Sequence, residues 1–572
     1  MPNRAGFANL SDYFSRTMKV KVIWGAAVLL FLGLLVFFAT RFTSLLKPRT
    51  DTINLLDTAF QERLEGYFNR RDTSLTPPRL QYLSVRLYTG TSEKQLAAVF
   101  KGLNPREGLL LTLLTEEEGT LKNMIEGSFD NALTELCRAL PSGIPVYLRW
   151  NPDMEVPVKR FSWQYQAPAD YIAAFRHMAT RCRKERPSLK IIWSPAGYPG
   201  TEEYWPGGDV VDVVSISMNG QSERESTAYP PEPNRHEALR RKILRTRFMD
   251  KPVFLLTPSA DSTYNWRKDL AAVARQLRTD SALIFQPTAR NNAPARTAGT
   301  LPVLGVYDPN LGLTGSEAVK TEHLFIDLGT IQSGKFAREF EAVVRRGHQA
   351  IVTVEPWRDS KIRKDSSVLQ NTADGVYDEE FREFFQIVAA AHQPVYVRFA
   401  HEMEIPIHRY SWQSKDPVLY IQAFRHFMQL GKDVKQVRKI WGPAGDRGSM
   451  EWYPGDDVVD FVSIAIYGLP DKNIADPAKQ ESFETIFNRK AWRMKLAAKP
   501  IFITEFGVKG PDDFQATWME NAALVIARHP EVAGACYFNL ADNPGVWGNM
   551  PAPDWAISRQ TFDRFVQVLR EN

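Results

Sequence analysis

The strongest constraint on the fold is an internal repeat. PVYLRWNPDMEVPVKRFSW (145–163) and PVYVRFAHEMEIPIHRYSW (394–412) are identical at ten of nineteen positions. A second pair of matching segments, PGGDVVD (206–212) and PGDDVVD (454–460), follows in the same order. Repeats of this kind indicate that one structural unit occurs twice along a chain. The sequence therefore predicts two related modules in tandem.

The length and composition agree with this organisation. A chain of 572 residues exceeds what one hydrophobic core usually organises. The 44% hydrophobic and 24% charged content is typical of globular proteins. We expect a first module over 80–287, a linker rich in Ala, Asn, Pro and Thr over 288–300, and a second module over 301–572.

In the second module, short apolar runs alternate with segments of helical periodicity. One of these segments, DPVLYIQAFRHFMQLGK (416–432), has Asp416 as a capping residue and Pro417 in its first turn. Eight strands alternating with helices predict a closed (β/α)₈ barrel, whose functional side chains lie at the C-terminal ends of the strands. The strand candidates are 302–308, 323–329, 349–357, 394–402, 438–445, 458–468, 500–507 and 534–540.

The first module matches this pattern only in part. The matching runs begin at LSVRLYTG (83–90) and end at ALIFQP (282–287), without a clear first strand or final helix. We therefore expect a second α/β barrel that is shortened and degenerate. It is expected to lean on its neighbour or on residues 41–79, which read as a polar, partly helical stalk.

An uncharged segment near the N-terminus predicts a membrane anchor. Residues 22–40, VIWGAAVLLFLGLLVFFAT, are about long enough to cross the roughly 30 Å hydrocarbon layer. Basic residues are slightly more numerous before this run than after it, which favours a cytoplasmic N-terminus over 1–21. The alternative, a cleaved signal peptide, usually has a shorter apolar run and an A-x-A site. We expect one transmembrane helix in the inner or plasma membrane, with the modules periplasmic or extracellular.

Charge and cysteine content argue against several classes of function. The formal net charge of +5 is small, and basic residues are interspersed with acidic ones, which gives nucleic-acid binding little support. Cys137, Cys182 and Cys536 lie far apart and form no CxxC motif. We expect no metal site, no cofactor and no disulfide framework, although a Cys137–Cys182 bridge stays open.

The positions at which the two copies differ point to the chemistry. Glu402, in the second copy, corresponds to Asp153 in the first, and Glu505 in ITEFG corresponds to Thr257 in LLTPS. Both glutamates are predicted at strand ends. Two facing carboxylates are what cleavage of a glycosidic bond requires. We expect an active second module and a catalytically inactive first one.

These residues carry a resemblance to a known family. With RFAHEM (398–403), IYG (466–468) and ITEFG (503–507) on three successive strands of its pattern, the second module resembles glycoside hydrolase family 26. The resemblance implies a retaining (β/α)₈ enzyme that acts mainly on β-mannans or, in some members, on mixed-linkage β-glucans. The segment EIPIHRYSW (404–412) departs from the family pattern, which has an Asn-Gly pair and clustered tryptophans there, so the substrate stays open.

The resemblance also implies roles for individual residues. Glu402 would be the general acid/base, with His401 beside it, and Glu505 would be the nucleophile. Tyr467 would orient Glu505, and Arg398 would hold the network together. A retaining mechanism implies carboxyl groups about 5–5.5 Å apart.

Other residues at predicted strand ends are candidates for binding sugar. Trp357, Trp412 and Trp547 have rings suited to stacking on sugar faces, with packing as the alternative. The retention of Trp163 in the first copy supports packing for Trp412. Glu355 could hydrogen-bond sugar hydroxyls or form a structural pair.

Together these expectations describe a membrane-anchored retaining endo-β-glycanase. Its partner would be a β-linked polysaccharide, either mannan or mixed-linkage glucan. Two alternatives stay open: a non-hydrolytic polysaccharide-binding scaffold of an exopolysaccharide synthesis or export machinery, and a transglycosylase that shares the covalent intermediate.

Overall fold

The computed structural model describes most of the two modules. Residues Leu56–Asn572 form one compact unit. The predicted membrane segment 22–40 lies outside the described residues, and none of the helices within them is long and apolar enough to span a bilayer. The structure describes residues 55–69, 78–218, 229, 232–258, 264–279, 295–297, 299–358, 365–407, 409–468, 481–544 and 551–572.

The first module is an open seven-stranded sheet. Six strands are parallel and follow one another in chain order, while the strand that comes first in sequence lies at the far edge and pairs antiparallel with β7. The strands are Glu62–Phe68 (β1), Leu80–Arg86 (β2), Gly108–Leu114 (β3), Val146–Trp150 (β4), Lys190–Trp193 (β5), Val213–Ser217 (β6) and Val253–Pro258 (β7).

Helices connect the parallel strands of the first module, and one further helix follows the last of these strands. Their apolar faces pack on the sheet, as in Pro168–Glu185, where Tyr171, Phe175 and Met178 are buried. The helices are Glu93–Phe100 (α1), Thr120–Ile125 (α2), Asp130–Ala139 (α3), Pro168–Glu185 (α4), Arg235–Arg245 (α5) and Trp266–Thr279 (α6).

The expectation of a shortened barrel for the first module needs correction, because the described strands do not close. β1 occupies the place beside β7, and no described strand joins β1 to β2. A cavity of about 960 Å³ lies there, lined among others by Leu64, Tyr67, Leu80 and Tyr82. The predicted last strand, 282–287, lies outside the described residues.

The stalk prediction also needs correction. Residues 62–68, which we expected to belong to a partly helical stalk, form β1 as an integral part of the first sheet. The sequence ERLEGYF alternates residues between the two faces, and its pattern of burial suits a strand. The first module thus leans on this N-terminal segment, as expected, but through β-pairing.

A buried ion pair fastens β1 to the sheet. Glu62 on β1 contacts Arg149 on β4 at 2.7 Å, and both side chains are almost completely buried. The Ser217 hydroxyl also donates to Glu62. The ring of Phe60 lies 5.4 Å from the Arg149 guanidinium. A buried arginine requires such partners, because an unpaired charge in the interior is strongly destabilising.

The second module is a closed eight-stranded parallel barrel, as predicted. Each predicted apolar run overlaps one strand, and β15 pairs with β8 to close the cylinder. The strands are Val303–Tyr307 (β8), Thr321–Asp327 (β9), Gln349–Glu355 (β10), Val395–Phe399 (β11), Val437–Trp441 (β12), Phe461–Gly468 (β13), Ile501–Val508 (β14) and Val532–Phe538 (β15).

Helices surround the barrel, and one of them shows how sequence signals set its start. Asp416 Oδ1 accepts a hydrogen bond from the Val418 amide at 2.8 Å, and Pro417 is in the first turn, as predicted. The helices are Leu328–Gln332 (α7), Lys335–Arg345 (α8), Val368–Ala373 (α9), Asp378–Ala389 (α10), Pro417–Leu430 (α11), Phe483–Arg493 (α12), Asp512–Arg528 (α13) and Arg559–Glu571 (α14).

Apolar side chains fill the barrel interior. Ile351, Tyr396, Ile440, Phe502 and Cys536 come from five strands and form one buried cluster. The barrel is therefore a packed core with its chemistry confined to the strand ends. All three cysteines are free thiols, so the Cys137–Cys182 bridge left open by the sequence is absent.

Substitution of Glu62 tests the role of the ion pair in fastening β1. Glu62→Gln leaves the buried Arg149 charge without a counter-charge, so we expect the first module to lose about 3–5 kcal/mol in free energy of unfolding. Urea unfolding measures this loss. Glu65→Gln is the control, because its nearby Arg63 is 39% exposed and exposed pairs contribute up to about 1 kcal/mol. Equal losses in the two variants would contradict this account.

Candidate active site

The candidate site lies at the C-terminal ends of the barrel strands. Arg398 is on β11, Tyr467 on β13 and Glu505 on β14, while Glu402 follows the end of β11. Parallel strands of one barrel end on the same face, so the fold brings these side chains to one place. The four residues that the sequence singled out for catalysis and its support are thus neighbours.

Two donors fix the Glu505 carboxylate. Arg398 forms an ion pair with Oε1, and the Tyr467 hydroxyl donates a hydrogen bond to Oε2 at 2.9 Å. Arg398 is 1% exposed and Glu505 is 6% exposed. Charge-assisted hydrogen bonds in such surroundings hold the carboxylate in one orientation.

Arg398 is itself fixed by two hydrogen bonds and an aromatic ring. Its Nε donates to Thr353 Oγ1 at 2.8 Å, and its Nη1 donates to Thr504 Oγ1 at 2.8 Å. The ring of Phe325 lies 5.6 Å from the guanidinium. Arg398 therefore acts on Glu505 as a positioning residue, which ties the ends of β10, β11 and β14 together.

The backbone that presents Glu402 is strained. Ala400 has a φ of +44° and Glu402 a φ of +54°, in the left-handed region that residues other than glycine seldom adopt. The Glu402 amide donates to the Gly442 carbonyl at 2.8 Å, and Gln413 Nε2 donates to the Glu402 carbonyl at 3.0 Å. Strain of this kind costs on the order of 1–3 kcal/mol and persists only where surrounding contacts enforce it.

The surroundings of Glu402 favour its protonated form. Burial, followed by the negative charge of Glu505, raises the pKa of Glu402 to about 8, and the positive charge of Arg409 partly opposes the shift. The Glu402 carboxyl is therefore protonated at neutral pH. Its side chain remains partly exposed, so a substrate can reach it.

His401 is a neutral, packed side chain. It is 1% exposed, and burial together with the charge of Arg398 lowers its pKa well below the usual value. Its ring lies 4.8 Å from that of Tyr410, and its Nδ1 has no hydrogen-bond partner among the described residues. The structure puts His401 beside the acid, and its contact with substrate stays a prediction.

Two of the predicted sugar-stacking tryptophans are buried. Trp412 is 0% exposed and Trp357 is 2% exposed, and their ring centroids are 4.9 Å apart. Trp412 Nε1 donates to the His401 carbonyl at 2.7 Å, and Trp163 makes the same bond to Pro152 in the first module. A ring without an exposed face cannot stack on a sugar, so that prediction is wrong for both residues. They support the strand end instead.

Of the two remaining candidates, only Glu355 lies within the described residues. Glu355 ends β10, is partly exposed, and lies close enough for its charge to act on Tyr307 and Tyr410. It therefore faces the site, and its hydrogen bonding to sugar stays a prediction. Trp547 lies outside the described residues.

Several partly exposed aromatic side chains around the glutamates were not predicted from the sequence. The Tyr307 ring lies 5.1 Å from Phe325 and 4.7 Å from Phe538, and Tyr410 stacks on Trp412 at 4.8 Å. Tyr307 and Phe538 are the last residues of β8 and β15. The strand-end rule that identified the glutamates would have identified these two residues as well.

An ion pair across the site was also missed. Arg409 Nη2 lies 3.3 Å from Asp542 Oδ1, which joins the segment after β11 to the segment after β15. Sequence spacing gives no signal for this pair, because the two residues meet only when the barrel closes.

The arrangement suits the cleavage of a glycosidic bond. Glu402 has a proton to donate at neutral pH, while Glu505 is oriented by a guanidinium and a hydroxyl. A protonated carboxyl group beside a carboxylate held in one orientation provides an acid and a nucleophile in one cleft.

The equivalent place in the first module is filled by the module's own N-terminal segment. Asn151 and Asp153 repeat the positive φ angles of the second module, at +40° and +58°. Arg149 repeats Arg398, but its carboxylate partner is Glu62 on β1, as described above. Phe60 lies over Arg149 much as Phe325 lies over Arg398. The first module thus keeps the buried charge pair without a second strand-end carboxylate at position 257.

Curated relatives match part of the chain. It is 26% identical over 147 residues to the β-1,3-xylanase TXYA of a Vibrio species, and 26% identical over 145 residues to a β-1,3-xylanase of an Alcaligenes species. Each match covers 24% of this chain and 28% of the relative, so the chain spans little more than a quarter of these relatives' length.

Solved structures also align with the chain. GH26C from a Muricauda species aligns with a TM-score of 0.36 and 15% identity, over 47% of this chain and 86% of that chain. A β-mannanase from a symbiotic protist of the termite Reticulitermes speratus aligns with a TM-score of 0.32 and 12% identity, over 47% and 87%.

A family model matches the part of the chain that holds the site. The glycosyl hydrolase family 26 model matches residues 363–523, a range that includes Arg398, Glu402, Tyr467 and Glu505. Residues 363–523 of the second module are therefore similar to glycosyl hydrolase family 26.

Proposed function

We propose that the second module is a retaining endo-β-glycanase. The observation that carries the proposal is the contrast between the two strand-end glutamates, one with a pKa raised to about 8 and one bound to Arg398 and Tyr467. The match of residues 363–523 to glycosyl hydrolase family 26 supports the same reaction class.

In the proposed mechanism the two glutamates act in two steps. Glu505 attacks the anomeric carbon while Glu402 donates its proton to the leaving oxygen, which breaks the glycosidic bond and forms a glycosyl-enzyme ester. Glu402, now a carboxylate, then takes a proton from water while the water oxygen attacks the anomeric carbon, which breaks the ester bond to Glu505 and releases the sugar with net retention of configuration. This course requires carboxyl groups about 5–5.5 Å apart, and the charge interaction between the two residues supports such proximity.

The substrate class in this proposal is a β-linked polysaccharide. The family resemblance favours mannan or mixed-linkage glucan, and the names of the curated relatives add β-1,3-xylan. The partly exposed rings of Tyr307, Tyr410 and Phe538 supply apolar surface for sugar C–H faces. The proposal includes anchoring by residues 22–40, supported by their uncharged sequence, with the enzyme facing the periplasm or cell exterior.

Removal of either glutamate tests the proposed function. Glu505→Gln removes the nucleophile and Glu402→Gln removes the acid, so we expect each to lower kcat by about 10²–10⁴ or more. The assay measures new reducing ends from mannan, mixed-linkage glucan and β-1,3-xylan. Asp153→Asn is the matched control at the equivalent position of the first module and should retain full activity.

Product analysis separates the alternatives. Retention is seen when the β-anomer appears first in the NMR spectrum of the products. Longer oligosaccharides formed without net release of reducing ends would indicate transglycosylation. Full activity in both glutamine variants would contradict the assignment of the site.

Tyr467→Phe tests the orientation of Glu505. The variant removes one hydroxyl, and with it the 2.9 Å hydrogen bond to Oε2, while the ring keeps its packing against Trp555. We expect kcat to fall roughly 10- to 100-fold, a loss of about 1.4–2.7 kcal/mol in transition-state stabilisation. Unchanged kcat would show that Arg398 alone suffices to orient the carboxylate.

The pH dependence tests the acid. Glu402 must be protonated to act in the first step, so kcat/KM should fall as pH rises above about 8. The positive charge of Arg409 lowers the pKa of Glu402, so Arg409→Gln should move this alkaline limb upward by roughly half to one pH unit. Arg564→Gln, which removes a surface ion pair with Glu520, is the control and should leave the limb in place. A downward shift in Arg409→Gln would exclude this explanation of the limb.

A further inference from the structure

The two modules meet through a segment that also borders the active site. This segment, residues 442–453, follows β12 and is named here the β12 loop. It contacts α5 and the residues after α5 in the first module. Both modules belong to one compact unit.

Arg247 of the first module binds the backbone of the β12 loop. Its Nη1 donates to the Glu451 carbonyl at 3.0 Å, and its Nη2 donates to the carbonyls of Met450 and Tyr453 at 3.3 and 2.8 Å. Arg247 is 0% exposed. One rigid guanidinium thus fixes three carbonyl groups of the loop in a single conformation.

Two more arginines of the first module bind the side chain of Glu451. Arg241 contacts Oε1 through Nε and donates to Oε2 through Nη2 at 3.1 Å, while Arg245 Nε donates to Oε2 at 3.0 Å. The carboxylate is 3% exposed, and the two guanidinium charges outweigh burial and lower its pKa to about 2. The loop is therefore held at its backbone and at a side chain.

The β12 loop also sends one side chain into the first module. The guanidinium of Arg447 donates to the Glu155 carbonyl, and the Tyr229 hydroxyl donates to the Arg447 carbonyl at 2.9 Å. Burial opposes the charge of the Arg447 guanidinium, but nearby acidic and tyrosine side chains, with Glu203 first among them, outweigh burial and raise its pKa. Contacts in both directions make the loop part of the interface along its length.

The opposite side of the β12 loop holds the strand end that carries the acid. The amides of Gly445 and Asp446 each donate to Glu404 Oε1 at 3.0 Å, and the Ser449 hydroxyl donates to the same oxygen at 2.9 Å. Glu404 is two residues from Glu402. The Glu402 amide in turn donates to the Gly442 carbonyl.

We propose that the first module is a positioning partner of the active site. It fixes the β12 loop through Arg247 and the arginine pair on Glu451, and the loop fixes Glu404 and the strained backbone of Glu402. The inference rests on the proposed function for its effect on rate. It assigns the inactive module a task other than glycan binding at its own strand ends, which Phe60 and Glu62 occupy.

The same interface contains a natural control. The equivalent loop of the first module is held by the second module, because Trp492 Nε1 and Lys495 Nζ donate to the Glu203 carbonyl at 3.2 and 2.9 Å. That loop holds Glu155, which accepts hydrogen bonds from the Gly197 and Tyr198 amides. These contacts from the second module thus stabilise a loop of the first module, which lacks the two strand-end glutamates.

The test uses the full chain and the variant Arg247→Lys. Lysine keeps the charge but cannot span three carbonyl groups with a planar fork. We expect the amides of Gly445, Asp446 and Glu402 to exchange with deuterium at least tenfold faster. We also expect kcat to fall at least tenfold with KM within twofold, because binding surfaces remain while the acid loses its orientation.

Two further variants keep the test decisive. Glu451→Gln removes the charge that the arginine pair binds and should have the same effects, so it replaces Arg247→Lys if that variant does not fold. Lys495→Met removes the equivalent contact on the other side of the interface. It should speed amide exchange in 196–203 and leave kcat within twofold.

Several results would overturn the proposal. These are unchanged amide exchange in both loop variants, faster exchange in the β12 loop with unchanged kcat, or an equal fall of kcat in Lys495→Met. If the wild-type protein cleaves no glycan, the proposed function fails by itself. Exchange at the Glu402 amide then still decides whether the first module braces the strand end.

Discussion

The buried pairing of an arginine with a carboxylate organises both halves of this chain. Arg398 and Arg149 occupy equivalent interior positions, and a charge there is tolerated only with a counter-charge and hydrogen bonds. In the second module Glu505 supplies the carboxylate from β14, which lies three strands round the barrel from β11. In the first, where position 257 is threonine, Glu62 supplies it from a strand that runs in the opposite direction. One electrostatic requirement therefore accounts for an oriented nucleophile in one module and for the unusual edge strand in the other.

Much of the second module could be predicted from its sequence. Strands buried on both faces form near-continuous apolar runs, and their alternation with amphipathic helices left few architectures to consider. The strand-end rule predicted that Glu402, Glu505 and Tyr467 would meet at one face of the barrel, and the family resemblance added Arg398. Comparison between the copies added the information that Glu402 and Glu505 were the positions that had changed.

The errors have physical reasons. The exposure of a tryptophan depends on the loops that fold over it. The sequence around Trp357 and Trp412 therefore does not distinguish a buried ring from one that is open to a sugar. Closure of a sheet depends on which strand takes the last place, and ERLEGYF (62–68) carries charges that resemble those of a solvated linker. Burial of the Glu62 carboxylate is tolerated because it forms an ion pair with Arg149, which lies far along the chain. Ion pairs between residues so far apart in the chain produce no periodic pattern in the sequence.

The interface between the modules has a two-fold character with unlike halves. Glu451 meets Arg245 across it, and Glu203 meets Arg493, the residue at the equivalent position of the other copy. Such reciprocity is the signature of an isologous dimer contact. Covalent linkage converts that contact into an intramolecular one, with an effective concentration set by the linker and not by expression level. Association of the two modules is accordingly independent of protein concentration. Because the two halves differ in sequence, a substitution changes one half of the interface and leaves the other half unchanged.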